Sequence, residues 1–235
     1  MAAHRISAGR RARRDGRFCV VALLVCLCWS GLARAAGETV RVARVYDGDT
    51  CRLTDGRRLR LAGVDAPETA HGAQPAQYYA GQATAALAAL VTDRAVRFVP
   101  MGRGVDRFGR LLGDLVLPDG ASVRERLLAE GAVFVFWHRD LTPGETAPLL
   151  PLQRQAMRQG RGFWPRLLAL PQPARSYVGN RASHRFHAPD CPEAGRISRR
   201  NRVALPDLAA AFEGGFSPAR ECTPWPTAPL KSDKP

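Results

Sequence analysis

The amino-acid sequence predicts an α+β chain, mainly β: a small barrel of short strands with three packed helices, followed by a small Cys/His unit. Three observations support that expectation. Short runs of period-two hydrophobicity recur between turn signals, three stretches carry apolar residues at helical spacing, and a Pro-rich stretch precedes a second cluster of aromatic, His and Cys residues.

Val40-Arg41-Val42-Ala43-Arg44-Val45 alternates apolar with polar, as a half-buried strand does. Thr50–Leu53 resumes the pattern, Asp55-Gly56 marks a hairpin turn, and Arg58–Leu61 alternates again. With a two-residue turn, Asp49 faces Ala62. Residues 76–91 set Ala83, Leu87, Leu90 and Val91 at helical spacing. Ala95–Val99 and Leu111–Leu117 are further strands, the second closed by Pro118-Asp119-Gly120. Ser122-Val123-Arg124-Glu125 is a capping box opening a helix that Gly131 terminates. Val133–Trp137 is a candidate additional strand, and residues 152–160 form a last helix before Gly162-Phe163-Trp164. Residues 166–175 are a Pro-rich linker, 176–224 the compact second unit, and 225–235 a disordered tail.

Residues 1–35 stand apart. Six arginines against one acid precede the apolar run Phe18–Leu32, and Ala33-Arg34-Ala35 follows. A basic start, a short apolar stretch and an A-x-A site are the pattern of a secretory signal peptide, and the run falls short of the ~20 residues that span a bilayer. The expected product is exported, to the periplasm or the medium, as a monomer without stable membrane association.

The composition, 46% hydrophobic and 24% charged, excludes a wholly disordered chain and a protein membrane-embedded throughout. Lys+Arg number 35 against 21 Asp+Glu, a formal net charge of +14, and the lysines are only Lys231 and Lys234. Such an arginine excess suits a polyanionic partner, although a solvated basic surface would read the same way. Cys19, Cys26 and Cys28 leave with the leader, while Cys51, Cys191 and Cys222 remain. In an oxidising compartment three cysteines suggest one disulfide and one buried thiol, and Cys51 lies in a strand-like run.

Candidate chemistry sits at one end of the first hairpin. Asp47-Gly48-Asp49-Thr50 precedes it and Val64-Asp65-Ala66-Pro67-Glu68-Thr69 follows it, so both acidic clusters leave the sheet at one edge. The two-residue turn sets Asp49 and Asp65 on opposite faces unless a bulge or strand end near Gly63 intervenes. Carboxylates brought so close repel one another without a cation, and hard oxygen donors suit Ca²⁺ or Mg²⁺. Either cluster alone reads equally well as turn formers and helix caps. Arg60 and Arg110 shift that balance: metal-ligating acids, a further Glu and two guanidinium forks are what phosphodiester hydrolysis requires.

Three ordered motifs carry a resemblance. Tyr46-Asp47-Gly48-Asp49-Thr50, Leu59-Arg60-Leu61-Ala62-Gly63-Val64-Asp65-Ala66-Pro67-Glu68-Thr69 and Asp106-Arg107-Phe108-Gly109-Arg110 resemble those of the thermonuclease, or staphylococcal-nuclease-like, family over residues 38–165. The resemblance implies an OB-fold five-stranded barrel and Ca²⁺-dependent endo- or exonucleolytic hydrolysis of DNA and/or RNA to 3′-phosphorylated products. It implies that Asp49, Asp65 and the backbone carbonyl of Ala66 ligate Ca²⁺ and that Glu68 orients or deprotonates water. Arg60 and Arg110 would hold the scissile phosphate, with charge stabilisation as the simpler role for Arg110. Trp137 and Arg139 stand where tyrosines stack on substrate in the family, which makes Trp137 a candidate substrate contact.

The second unit resembles a small Cys/His module similar to the zinc-binding part of alkylation-repair sensor proteins. Ala219 replaces the first cysteine of that module's final pair, which leaves His187, Cys191 and Cys222, with Glu221 or His184 as a fourth candidate. Two readings stand: a Zn²⁺ site, or a Cys191–Cys222 disulfide. For the whole chain, the alternative to a nuclease is a non-catalytic nucleic-acid-binding module on the same OB-fold.

Overall fold

The computed structural model describes residues 37–220 and 225–226. The expected leader, Glu221, Cys222 and the end of the tail lie outside them. No helix among the described residues is long and apolar enough to cross a membrane.

Five strands close into a barrel: β1 (Glu38–Val45), β2 (Thr50–Leu53), β3 (Arg58–Leu61), β5 (Ala95–Val105) and β6 (Leu111–Val116), in the order β1-β2-β3-β6-β5. The bulge between Val42 and Arg44 lets β1 serve two partners. Its first half pairs antiparallel with β5, its second half with β2. Strands β3 and β6 pair in parallel, Leu59 beside Leu111. Leu53, Leu59, Leu61, Val96 and Leu115 fill the interior with almost no exposure. Cys51 joins them as a free thiol, pushed up to about 12 mainly by burial, with the charges of Asp47 and Asp49 adding to it.

The first hairpin corrects the expected register. Cys51 pairs with Leu59 and Thr50 with Arg60, so Asp49 lies opposite Leu61 rather than Ala62. The turn has three residues, not two: Leu53 N–H donates to the Arg57 carbonyl, and Gly56 takes φ 90°. A glycine in the left-handed region is what a three-residue hairpin needs at its last position. The expected face mismatch between Asp49 and Asp65 disappears with that shift of one residue.

Other boundaries differ for local reasons. Strand β5 runs past Val99, and its register against β6 shifts between Pro100 and Val105. Pro100 lacks a ladder donor and masks this continuation in the sequence. Of Val133–Trp137 only β7 (Phe134–Val135) is paired, with the short β4 (Val64–Asp65), outside the barrel. Helix α1 (Ala80–Val91) begins later than expected, because Tyr79 adopts φ 72°. Ser122 caps α2 (Val123–Ala129) by accepting the Glu125 N–H, and Gly131 ends it at φ 67°. The short α3 (Pro143–Thr146) leads into α4 (Leu150–Arg158), and α5 (Trp164–Leu168) follows.

The C-terminal unit is a four-stranded sheet in the order β10-β8-β9-β11, built from β8 (Tyr177–Asn180), β9 (Arg185–His187), β10 (Arg202–Leu205) and β11 (Ser217–Pro218). It carries α6 (Pro192–Gly195) and α7 (Leu208–Glu213). Despite the prolines before it, this sheet shares one hydrophobic cluster with the barrel side, formed by Phe134, Phe163, Trp164, Phe186, Phe212 and Trp225. Phe134 stacks on Trp225 at 5.2 Å and meets Phe212 edge-on at 5.8 Å. The fully buried Gln153 joins the halves, accepting from Val135 N–H at 2.6 Å and donating to the Phe212 carbonyl at 2.7 Å.

Trp225 and Pro226, expected in a disordered tail, are packed on the barrel side. Trp225 is buried and donates to the Tyr78 carbonyl, and Tyr78 N–H donates to the Pro226 carbonyl. A large aromatic ring holds this end of the chain where proline and lysine alone suggest fraying. Replacing Phe212 with Ala is expected to lower stability by about 3–5 kcal/mol, in a single urea transition that reports on both units. Two separated transitions would contradict the shared core.

Candidate active site

The acidic loops meet because the chain turns sharply after β3. Ala62 N–H still donates to Gly113 at 2.8 Å, and then Gly63 at φ 77° sends Val64-Asp65 away from the barrel to pair with β7. Buried Arg124 supports this turn, with Nη1 donating to the carbonyls of Ala62 and Glu145 and Nε lying 3.4 Å from Asp114. On the other side, Gly48 admits a close approach. A β-carbon there would stand 2.7 Å from that of Ala83 and 2.8 Å from that of Ala66. The absence of that atom lets the first acidic loop lie against the second and against α1.

Arg60 is the pivot. Leu59 and Leu61 are buried in the barrel, so alternation turns Arg60 to the other face. Its Nη1 lies 2.5 Å from Asp49 Oδ1 and its Nη2 lies 2.6 Å from Asp65 Oδ1. One guanidinium thus joins two buried carboxylates from the two loops. Asp49 also accepts from Thr50 Oγ1 and, through Oδ2, from Ala66 N–H at 3.0 Å. The two acids differ in electrostatics. Burial raises Asp49 well above the usual carboxylate range despite Arg60. Burial also acts on Asp65, but Arg60 and Arg220 outweigh it and hold that carboxyl below its ordinary value.

Glu68 stands at the rim. Its backbone is fixed by Gln77, whose side chain accepts the Glu68 N–H at 2.8 Å and whose own N–H donates back to the Glu68 carbonyl. Burial raises this carboxyl, against the attraction of Arg220. Arg110 is ion-paired to Asp106 at 2.7 Å, and the same carboxylate accepts the backbone N–H groups of Phe108 and Arg110. Asp106 therefore holds the Asp-Arg-Phe-Gly-Arg turn in shape and keeps Arg110 beside the cleft. That cleft is about 1340 Å³ and is lined by Arg60, Glu68, Arg110 and Trp137 together with Arg185 and Arg220.

The last two residues come from the C-terminal unit. No local pattern in the sequence marks either arginine as a site residue. Arg220 contacts Glu68 and also Asp65, 155 residues earlier in the chain, a separation that carries no local signal. Trp137 lines the cleft as expected, but His184 stacks on its ring at 4.5 Å and covers one face.

Among the described residues, no three His, Cys, Asp or Glu side chains converge closely enough to hold an ion alone. The expected set needs only two, Asp49 and Asp65, with the Ala66 carbonyl and water completing it. Two buried carboxylates fixed by one guanidinium are the hard oxygen donors that Ca²⁺ or Mg²⁺ takes, so the residues present fit such an ion. The C-terminal zinc alternative fares differently. Cys191 is disulfide-bonded and has no thiolate to offer, while His187 Nδ1 lies 3.5 Å from its sulfur.

The sequence model of the family described as "Staphylococcal nuclease homologue" matches residues 58–166. The chain is 38% identical over 128 residues to an "Uncharacterized endonuclease" of Escherichia coli O157:H7, covering 53% of this chain and 75% of that protein. It is 31% identical over 138 residues to a thermonuclease of Staphylococcus hyicus, covering 57% and 80%. A third relative, the succinoglycan biosynthesis protein ExoI of Rhizobium meliloti (strain 1021), is 30% identical over 167 residues, covering 66% and 83%. The closed five-stranded barrel and these matches define an OB-fold phosphodiester hydrolase. The chain belongs to the staphylococcal nuclease family.

Removing the charge of Arg60 while keeping its bulk, as in Arg60→Met, leaves two buried acids without their shared partner. Stability is expected to fall by about 3–5 kcal/mol in urea denaturation at neutral pH. A loss below 1 kcal/mol would mean that the bridge is not structural.

Proposed function

We propose that this chain is an exported, Ca²⁺-dependent nuclease that cleaves DNA and/or RNA to 3′-phosphorylated products. The observation that carries the reading is that Arg60, which lines a basic cleft with Glu68 at its rim, joins the buried carboxylates of Asp49 and Asp65. Asp49, Asp65 and the Ala66 carbonyl would hold the ion. When bound, it offsets charge on the phosphoryl oxygens and favours ionisation of water.

The remaining work falls to side chains of this chain. Arg60 and Arg110 line the same cleft, and their positive charge there suits a phosphate. They place the phosphorus and offset charge on its oxygens as water attacks. Glu68, at the cleft rim with its backbone fixed by Gln77, orients that water and accepts its proton. A new P–O bond forms to water, the bond to the 5′ oxygen breaks as that oxygen takes a proton from solvent to leave as a hydroxyl, and the phosphate stays on the 3′ side. Export rests on the sequence of residues 1–35 and is tested by fractionating cells that express the full chain.

Glu68→Gln keeps size and hydrogen bonding but removes the base. Turnover on single-stranded DNA with Ca²⁺ is expected to fall by about 10²–10⁴-fold, with binding in a filter assay retained. Chelation of Ca²⁺ is expected to abolish cleavage by the unaltered protein. Cleavage that persists unchanged in both conditions would remove Glu68 and the ion from the mechanism.

A further inference from the structure

Arg220 reaches the site from the C-terminal unit and has no counterpart among the residues of the three motifs. It follows β11, whose Ser217 and Pro218 pair in parallel with Arg185 and Phe186, and Ala219 N–H donates to the Phe186 carbonyl. The backbone bearing Arg220 is therefore anchored to the sheet. Its side chain crosses the cleft to the barrel. One nitrogen, Nη2, lies 2.6 Å from Glu68 Oε1 and 3.2 and 3.4 Å from the two oxygens of Asp65.

Three carboxylate oxygens from two residues converge on this single nitrogen. That is how a small cation is held, and it differs from a fork-to-fork pair in which each nitrogen takes its own oxygen. We propose that Arg220 Nη2 occupies the Asp65 side of the cation site as a tethered counter-ion, and that a divalent ion must displace it from Asp65 to bind. The inference rests on the reading above that Asp49 and Asp65 hold the ion.

Two guanidinium groups touch Asp65, and they differ in freedom. The Arg60 side chain is 12% exposed and is committed to Asp49, Asp65 and the Val64 carbonyl. The Arg220 side chain is 59% exposed and borders the open cleft, so it can leave without unpacking the core. Asp49, Asp65 and Glu68 lie together with Arg60 paired between the two aspartates, and Arg220 and Arg185 add positive charge beside Asp65. A divalent ion on Asp65 would meet that charge at close range, and like charges repel strongly in a partly desolvated site. Ion and guanidinium therefore exclude one another. The affinity for the ion is set by the C-terminal unit, and the displaced arginine remains in the cleft as a cation for the polynucleotide backbone.

The test is calorimetric titration of Ca²⁺, without nucleic acid, into the full chain and its R220Q, R220K and D65N variants, with thermal unfolding as a check on folding. R220Q is expected to bind Ca²⁺ about tenfold more tightly than the unaltered protein, and R220K to stay within about threefold of it. D65N is expected to lose binding. Equal or weaker binding by R220Q, with D65N still defective, overturns the competition and leaves the ion site standing. No binding by any of the four proteins overturns the ion site, and the competition falls with it.

Discussion

A guanidinium held between two buried carboxylates is the constraint around which this molecule is arranged. Arg60 reaches Asp49 and Asp65 only if β2 and β3 pair in the observed register and if the chain leaves the barrel at Gly63. Each condition has its own support. The three-residue turn with Gly56 sets the register, Arg124 ties the Ala62 carbonyl to the region of α2 and α3, and Gly48 lets the first loop lie against Ala66 and α1. The charges, in turn, make the close approach tolerable, because two buried acids without a partner would repel or take up protons.

The second constraint is shared apolar surface. The barrel side presents an aromatic face, Phe134 with Phe163 and Trp164. The C-terminal sheet covers it with Phe186, Phe212 and Trp225. The same docking carries Arg185 and Arg220 to the mouth of the site. The packing of the two parts thus sets the charge of the cleft, and the appended unit forms part of the site.

Much of this was legible in the sequence. Period-two runs, the Asp-Gly turn and the Ser122 cap are local signals, and local hydrogen bonding decides them. The acids and arginines of the three motifs were likewise readable, because each motif is short and their order is kept. Register was not, since Asp55-Gly56 suits a two-residue and a three-residue turn alike, and the strands flanking it choose. The extent of β5 was hidden by Pro100, and the docking of Trp225 by the prolines and lysines around it. Arg220 was invisible for a different reason: its partner Asp65 lies 155 residues earlier, and no spacing rule spans that distance. Tertiary packing alone brings it there.

The aromatic cluster also bears on how the protein is made. A ribosome extends the chain from its amino end, so the barrel residues emerge well before Phe212 and Trp225. Until those rings arrive, Phe134 and Phe163 lack their cover, and the nascent barrel presents a greasy surface to whatever is near. Completion of the last strand therefore shields the intermediate and finishes the cleft in the same event.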